Sequence, residues 1–342
     1  MTEAQPRELM RLVFGGMAAQ VIGTLTRLEI ADAIGDGGAT SAELGAAHDI
    51  PAQQMHRLLR AAAGLGLLAE HEGGRFDLTP QGALLRKDAP VSLHAFARMF
   101  TDPIMLGAWP RLEQSLRTGK TSFEDVYGAS FFDHLAKVPE MSALFNASMS
   151  QATSGVAATL PAAYDFGKFT TLADIGGGDG TLLSAVLKAN PDLRGLLFDS
   201  EAGAAQAPET LGELTRRCEI RTGDFFESVP AGADAYLLKS ILHDWSDEQC
   251  AVILGHCRKV LPENGRVLIV EPVLPELVPA DGPGGVYLSD LNMLVNVGGR
   301  ERTRTDFENL CESAGLRVTD VIRLPPQTGF SVIEAVTPAD RA

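Results

Sequence analysis

A short apolar run, a cluster of glycines and an amphipathic stretch follow one another in the second half of the chain. Residues 172–175 have the composition of a buried strand, residues 176–180 spell Gly-Gly-Gly-Asp-Gly, and residues 181–190 follow a helical period. A strand, a glycine loop and a helix make up the mononucleotide-binding unit of doubly wound sheets. A second strand over residues 194–198 ends at Asp199, about twenty residues beyond the glycines, where a ribose-binding acid belongs.

The rest of the second half continues this alternation of strands and helices. The pattern predicts strands at 219–221, 235–240 and 266–271, helices at 290–296 and 305–314, and a hairpin of 318–324 with 330–336. Ser246 with Gln249, and Thr305 with Glu308, form capping boxes that start two of the helices. We therefore predict an α/β fold whose mainly parallel sheet is closed by an antiparallel C-terminal hairpin.

The first half is mostly helical and contains a winged-helix pattern. Thr40 and Glu43 form a capping box before a helix at 42–47, Pro51 starts a second helix, and a hairpin follows around a Gly-Gly turn. Winged helices often bind DNA, but residues 43–88 carry six acids against five bases and have no basic stripe. We therefore favour a packing or dimerisation surface over DNA binding.

The overall charge points the same way. The chain has 29 basic and 44 acidic residues, a net charge of −15, which disfavours nucleic acid and anionic membranes as partners. Its four cysteines include no C-x-x-C pair, so we expect neither a zinc site nor a disulfide framework. The uncharged stretch 12–26 is too short to span a bilayer, and Glu3 and Glu8 disfavour a signal peptide. We expect a cytoplasmic protein.

The glycine spacing discriminates between nucleotide ligands. Dinucleotide loops follow G-x-G-x-x-G, whereas Gly176, Gly178 and Gly180 give G-x-G-x-G, which disfavours a nicotinamide dehydrogenase. No basic residue lies in the loop, and four acids stand near it: Asp174, Asp179, Asp199 and Asp224. Such surroundings suit a cationic, phosphate-free nucleoside better than a pyrophosphate.

His243 follows directly on a predicted strand, at the sheet edge where α/β proteins bind ligands. Glu271 ends the next strand, and Glu301 lies in the loop 298–302. A histidine that accepts a proton needs its other ring nitrogen held and its charged form stabilised, so two acids converging on one histidine make a general base. The alternatives are a structural histidine, an ion pair of Glu271 with an arginine, and a solvated salt-bridge turn at 300–302.

Six segments match a known pattern in order and spacing over nearly the whole chain. They are Asp-Ile-Gly-Gly-Gly-Asp-Gly at 174–180, Phe-Asp at 198–199, Gly-Asp-Phe-Phe at 223–226, Leu-Lys-Ser-Ile-Leu-His-Asp-Trp at 238–245, Val-Glu-Pro at 270–272 and Gly-Gly-Arg-Glu-Arg-Thr at 298–303. Together they resemble the small-molecule O-methyltransferases that use S-adenosylmethionine, the class of caffeate and flavonoid enzymes and bacterial polyketide-tailoring relatives.

The resemblance implies a division of the chain and a set of partners. It implies a winged-helix dimerisation domain at 1–95, a helical connection lining the substrate pocket at 96–160, and a methyltransferase domain with a Rossmann-like, seven-stranded sheet at 161–342. It also implies S-adenosylmethionine as cofactor, a small hydroxylated substrate and a homodimer. The family usually has Asp-Leu-Pro after the second strand, whereas this chain has Asp-Ser-Glu at 199–201.

The resemblance also implies roles for individual residues. His243 would be the general base, flanked by Glu271 and Glu301, with no metal. The implied cofactor-binding residues are Asp174, Gly176, Gly178, Gly180, Asp199, Asp224, Phe225 and Lys239. The implied substrate-binding residues are Asp244, Met141, Phe145, Met149, Met293 and Asn296.

Met141, Phe145 and Met149 also stand out in the sequence itself, because they fall four residues apart on one helix face. Such a stripe is usually core, and it also suits a pocket for a flat apolar substrate.

The function expected from these features is methylation of a hydroxyl, most simply a phenolic one, on an aromatic or polyketide-type secondary metabolite. Two alternatives remain at this point. A relative of the same fold could bind the same cofactor and catalyse decarboxylation or hydroxylation, because fold does not fix chemistry. The chain could also be a winged-helix regulator that senses a metabolite. The complete set of His243, Glu271 and Glu301 argues against the first alternative, and the acidic first half against the second.

Overall fold

The computed structural model describes residues 4–279 and 284–338, which belong to two compact units. The first unit comprises the chain up to Leu106 together with Ala147–Ala152, and the second comprises Gly107–Asn146 and the chain from Thr153 onward. One helix of 25 residues contributes to both units. The functional boundaries at residues 95 and 160 stay predictions.

The first unit contains the predicted helices and hairpin. Its helices are α1 (Ala4–Val13), α2 (Gly15–Arg27), α3 (Ile30–Ile34), α4 (Ser41–Ala47), α5 (Ala52–Gly64), α6 (Pro80–Ala83), α7 (His94–Phe100) and α8 (Pro103–Leu106). Strands β1 (Ala39–Thr40), β2 (Leu68–Glu70) and β3 (Arg75–Leu78) form an antiparallel sheet in the order β1-β3-β2. Both hydrogen bonds of the capping box between Thr40 and Glu43 are present, so this prediction is confirmed.

Helices α1 and α2 carry apolar side chains that the unit does not cover. Leu12, Val13 and Met17 are 63, 71 and 67% exposed, and Leu9 and Phe14 are also exposed. Within the described residues, no single helix is both long and apolar enough to cross a membrane, although Pro6–Val13 and Gly15–Arg27 together, bent by 49°, have the required length and composition.

The second unit is a sheet flanked by helices. Its helices are α9 (Leu112–Thr118), α10 (Phe123–Tyr127), α11 (Phe131–Lys137), α12 (Pro139–Ala163), α13 (Thr181–Ala189), α14 (Ala207–Leu211), α15 (Asp247–Val260), α16 (Gly285–Asn292) and α17 (Arg304–Ser313). Its strands are β4 (Thr171–Ile175), β5 (Arg194–Asp199), β6 (Cys218–Thr222), β7 (Ala235–Lys239), β8 (Arg266–Glu271), β9 (Val273–Leu274), β10 (Arg302–Thr303), β11 (Arg317–Arg323) and β12 (Ser331–Val336).

Seven of these strands form one sheet in the order β11-β12-β8-β7-β4-β5-β6. Strands β4 to β8 pair in parallel, whereas β12 is antiparallel to both β8 and β11. Alternate residues of β8 enter two separate apolar clusters, so this strand is buried on both faces, as its uninterrupted apolar sequence requires. The predicted α/β fold with a closing hairpin is confirmed.

Two local predictions are wrong. Helix α17 starts at a capping box of Thr303 with Asp306, not of Thr305 with Glu308. The Thr305 hydroxyl donates to Glu276 instead, at 3.0 Å, and Glu308 accepts from Arg304. The predicted helix at 290–296 begins earlier, as α16, and continues into a π-helical turn, Met293–Val297.

Candidate active site

The site lies at the edge of the sheet where the neighbouring parallel strands β4, β7 and β8 end. The glycine loop follows β4, a 3-10 turn at Leu242–Asp244 follows β7 after two residues, and Glu271 is the last residue of β8. Parallel strands bring their carboxyl ends to one edge, so three segments far apart in the sequence become neighbours.

The glycine loop forms an open cradle. The backbone of Gly176, Gly178 and Gly180 has positive φ angles, which residues other than glycine rarely adopt. A Cβ atom on Gly176 would lie 2.3 Å from the Ile241 side chain, whereas one on Gly178 would meet no atom within 4 Å. The loop is therefore packed against the protein at its start and faces free space at Gly178.

Carboxylates surround this cradle. Asp199 accepts the N–H of Gly178 at 2.8 Å through Oδ2, and the N–H of Ser200 through Oδ1. Burial raises the pKa of Asp174 to about 7, with a further contribution from the charge of Asp199, and burial also raises the pKa of Asp199. A bound cation would relieve this accumulation of negative charge.

The departure at residues 199–201 builds its own turn. The Ser200 hydroxyl lies 3.2 Å from Asp199 Oδ1 and accepts the N–H of Gly203 at 3.0 Å. A Cβ atom on Gly203 would lie 2.0 Å from Asp199 Oδ1, so a larger residue there would displace this carboxylate. These contacts hold the Asp199 carboxylate in place without the Leu-Pro pair.

The remaining predicted cofactor residues lie around the loop or at the end of β7. The Phe225 ring approaches to 3.9 Å from the Cβ position of Gly176, and the exposed Asp224 accepts the N–H of Phe226. Lys239 donates to the Thr153 hydroxyl at 3.1 Å. Burial lowers the pKa of Lys239 to about 8, although nearby carboxylates, with Glu271 the largest, oppose that shift.

His243 is held by one carboxylate and faced by another. Its Nδ1 atom lies 3.1 Å from Glu301 Oε1, and its Nε2 atom lies 3.6 Å from Asp244 Oδ1. The Glu301 side chain is 1% exposed and the His243 side chain 15%. With Nδ1–H donating to Glu301, the neutral imidazole presents the lone pair of Nε2 to a proton donor.

Glu271 makes no hydrogen bond to the imidazole among the described residues, although its charge contributes to the raised pKa of His243, and its catalytic role stays a prediction. Its Oε1 atom instead accepts the backbone N–H groups of Ile241, Leu242 and His243, the shortest at 2.7 Å. Oε2 is buried and has no hydrogen-bond partner among the described residues. Burial raises the pKa of Glu271. Glu271 therefore fixes the turn that carries His243, because a carboxylate at the start of a helical turn satisfies its free N–H groups.

Two residues that sequence reasoning missed support Glu301. The Ser289 hydroxyl donates to Glu301 Oε1 at 2.9 Å, and Asp290 Oδ1 accepts the Glu301 N–H at 2.8 Å. The polar pair Ser-Asp within the apolar stretch of α16 was the available signal.

Aromatic rings connect the predicted substrate helix to the turn that carries His243. Phe145 on α12 packs edge to face on Phe131 and Phe132 of α11, and Phe132 stacks on Trp245 with a centroid distance of 5.2 Å. Trp245 also contacts Phe225, at 6.0 Å. Phe145 is thereby linked through rings to the turn that carries His243.

The other predicted substrate residues are distributed differently. Met293 and Asn296 are buried on the π-helical turn, which packs against the 3-10 turn of His243. The Asn296 amide donates to Asn292, which also accepts the Trp109 indole N–H. Met141 is half-buried on α12 in the second unit, and Met149 belongs to the part of α12 in the first unit.

The carboxylates decide the charge of His243. Burial alone would lower its pKa, but the charge of Asp244, the hydrogen bond to Glu301 and the charge of Glu271 outweigh burial and raise the pKa to about 9. Asp244 itself is pushed to a pKa of about 6, chiefly by burial. Without a further cation nearby, His243 is therefore protonated at neutral pH.

Comparison with known proteins identifies the family of this chain. Residues 109–317 match the family model of the O-methyltransferase domain, and residues 10–88 match that of the O-methyltransferase dimerisation domain. The chain is 45% identical to an O-demethylpuromycin-O-methyltransferase of Streptomyces alboniger, over 97% of this chain and 89% of that protein. The chain belongs to the O-methyltransferase family.

Solved structures of O-methyltransferases and related proteins share the fold. LaPhzM superposes with a TM-score of 0.92 at 38% identity, covering 98% of this chain and 99% of that one. NcsB1, an O-methyltransferase from neocarzinostatin biosynthesis solved with S-adenosylmethionine and 2-hydroxy-5-methyl naphthoic acid, has a TM-score of 0.78 at 32% identity, covering 94% and 96%. Methyltransferases of this family use S-adenosylmethionine as methyl donor.

The site of this O-methyltransferase fits that cofactor. S-Adenosylmethionine carries two cationic groups, a sulfonium and an ammonium. Its ammonium and its ribose hydroxyls are hydrogen-bond donors. The cradle offers the matching acceptors, the carboxylates of Asp174 and Asp199, and free space at Gly178. The loop offers no basic side chain for a pyrophosphate.

We predict that His243 of the free O-methyltransferase titrates with a midpoint near pH 9, because the neighbouring carboxylates stabilise its charged form. NMR of imidazole-labelled protein, assigned with His243→Ala, measures this midpoint. Glu301→Gln removes one of these contributions and should move the midpoint to lower pH. An ordinary midpoint near 6.5 in the wild-type protein would contradict the geometry.

Proposed function

We propose that this enzyme methylates a phenolic hydroxyl on a flat aromatic or polyketide-type secondary metabolite, with S-adenosylmethionine as donor and His243 as general base. The observation that carries the proposal is the pairing of His243 Nδ1 with the buried Glu301 carboxylate, which leaves Nε2 to take a proton. Two relatives support the substrate class: NcsB1 is solved with a hydroxynaphthoic acid, and the S. alboniger enzyme methylates an O-demethylpuromycin.

A phenol needs such a base at neutral pH. By analogy with tyrosine, a free phenol titrates near pH 10, so little of it is ionised at pH 7. The bound cofactor supplies an electrophilic methyl group, and the protein has to align the attacking oxygen and remove its proton. His243 Nε2 accepts this proton, and Glu301 stabilises the resulting imidazolium through Nδ1–H.

A bound cation would also favour the neutral form of His243, which is the form that acts as a base. A positive charge among these carboxylates lowers the pKa of His243 from about 9, since like charges disfavour each other. The enzyme therefore gains a neutral imidazole when its cationic ligand occupies the cradle, and the imidazolium regains its stability once that charge is gone.

The aromatic cluster favours a planar acceptor. Phe132 and Phe145 lie between α11, α12 and the turn of His243, and Met293 adds a polarizable side chain on the π-helical turn. Rings and thioethers bind flat apolar molecules by stacking and dispersion. We assign Asp244, 16% exposed beside Nε2, to contact with the polar end of the acceptor.

We predict that His243→Ala lowers kcat by at least about a hundredfold, the usual contribution of a general base, while cofactor affinity stays within a few-fold. Turnover of a competent substrate and calorimetric titration of S-adenosylhomocysteine measure the two quantities. His71→Ala, in the first unit, is a matched control that should retain full turnover. Unchanged kcat in His243→Ala would refute the base role.

The acceptor itself can be identified by incubating the protein with methyl-labelled S-adenosylmethionine and a panel of hydroxylated aromatics and polyketides. We expect a product heavier by one labelled methyl group on an aromatic oxygen. A product that has lost carbon dioxide or gained oxygen without a methyl group would instead support the decarboxylase or hydroxylase alternative.

We also propose that the protein is a homodimer formed through the exposed apolar side chains of α1 and α2. Leu12, Val13 and Met17 are more than 60% exposed within a segment that overlaps the matched dimerisation domain, and a second copy of this chain would cover them.

The cytoplasmic location stays a prediction.

For this interface we predict that Val13→Asp combined with Met17→Asp converts the dimer into a monomer, because a buried unpaired carboxylate is costly. Sedimentation velocity measures the change, and Val252→Asp, an exposed apolar residue on α15, is the control that should stay dimeric. A monomeric wild-type protein would contradict the proposal.

A further inference from the structure

Arg302 is the largest fully buried side chain in the described chain, with 0% exposure. It stands directly after Glu301, in the loop that reaches His243. Burying a guanidinium is costly unless its donors are satisfied, so its partners indicate why the fold retains it.

Those partners lie on both sides of His243. Nη1 donates to the carbonyl of Leu242 at 2.7 Å, and Nη2 donates to the carbonyl of Trp245 at 3.0 Å. Nε and Nη2 also donate to Asp247 Oδ1, at 3.0 and 2.7 Å. A single planar side chain thus binds the first residue of the turn and the residue that immediately follows it.

The same loop meets the turn backbone to backbone. A Cβ atom on Gly299 would lie 2.0 Å from the carbonyl oxygen of His243 and 2.4 Å from the carbonyl carbon of Asp244. Only glycine allows this approach, since the obstructing atoms are main chain and cannot rotate away. On the far side, β10 pairs in parallel with β9, which follows Glu271 after one residue.

We propose that Arg302, with Asp247 as its counter-ion, is a positioning residue that clamps the His243 turn to the Glu301 loop. The inference rests on the proposed base role of His243. Without the clamp, the distance between His243 Nδ1 and Glu301 Oε1 is no longer held at 3.1 Å, and Nε2 loses its fixed direction. A displacement of about 1 Å at a catalytic group can cost about a hundredfold in rate.

The test uses Arg302→Lys, which keeps the positive charge and loses the fork of donors. The charged groups that act on His243 are Asp244, Glu271 and Glu301. Lys239, Asp290 and Arg302 neighbour these carboxylates, and the substitution changes the charge of none of the six. We expect kcat to fall by about tenfold to a hundredfold, with S-adenosylhomocysteine affinity nearly unchanged. Because Glu301 then stabilises the imidazolium less, the His243 midpoint measured by NMR should move to lower pH.

A double-mutant cycle separates positioning from general damage. In a Glu301→Gln background, Arg302→Lys should cost far less kcat than in the wild type, because the contact it protects is already weakened. Arg304→Lys is the matched control, since this neighbouring arginine is 61% exposed and pairs with Glu308 along α17. It should change neither kcat nor the midpoint.

If Arg302→Lys does not fold, Asp247→Asn tests the same clamp, because Asp247 is the half-exposed partner of Arg302. The double-mutant cycle is then repeated with Asp247→Asn in the wild-type and Glu301→Gln backgrounds. Equal losses of kcat in both backgrounds, or an unmoved His243 midpoint, would overturn the clamp. His243→Ala distinguishes failure of the clamp from failure of the base role. If His243 is not the base, His243→Ala retains the wild-type kcat, whatever the effect of Arg302→Lys.

Discussion

The contact between Glu301 and Nδ1 of His243 is the interaction on which the proposed catalytic unit depends. It requires a loop after α16 to reach a turn after β7, although 58 residues separate the two side chains. The parallel sheet brings the turn to the correct edge, Glu271 holds its N–H groups, and Ser289 and Asp290 fix Glu301 from the other side. Each of these contacts restricts the orientation of the imidazole.

The negative charge of the site raises the pKa of His243 and favours the binding of cations. The site gathers carboxylates from several segments in a partly buried space. Burial is the main cause that raises the pKa of Asp174 and Asp244, and the surrounding carboxylates raise the pKa of His243 against its burial. Without a bound cation, the carboxylates of such a site repel one another. A sulfonium cofactor and the imidazolium of the proposed mechanism are both cations, so one charge distribution would serve both binding and the proposed proton transfer.

The sequence predicts the framework well because the framework follows simple periodicities. Apolar runs of five or six residues separated by helices specify a parallel sheet, and the glycines after β4 specify the cradle. The strand ends then place His243 and Glu271 at one edge, and the family resemblance implies the roles predicted for them.

The contacts within the site do not follow from spacing alone. Glu271 could turn towards the imidazole or towards the backbone, and only the path of residues 241–243 decides for the backbone. The segment before α17 contains two overlapping capping patterns, and Asp306, which also binds Arg300 at 3.1 Å, selects the one at Thr303. The π-helical turn at Met293–Val297 has no periodic signature in the sequence.

The most direct test of the central claim is a crystal structure of the enzyme with S-adenosylhomocysteine and a methylatable phenol. We predict that the phenolic oxygen lies about 2.6–3.2 Å from His243 Nε2, the range for direct proton transfer, with Glu301 still paired to Nδ1. A phenolic oxygen held by another side chain, with Nε2 turned away from it, would contradict the assignment of His243 as the base.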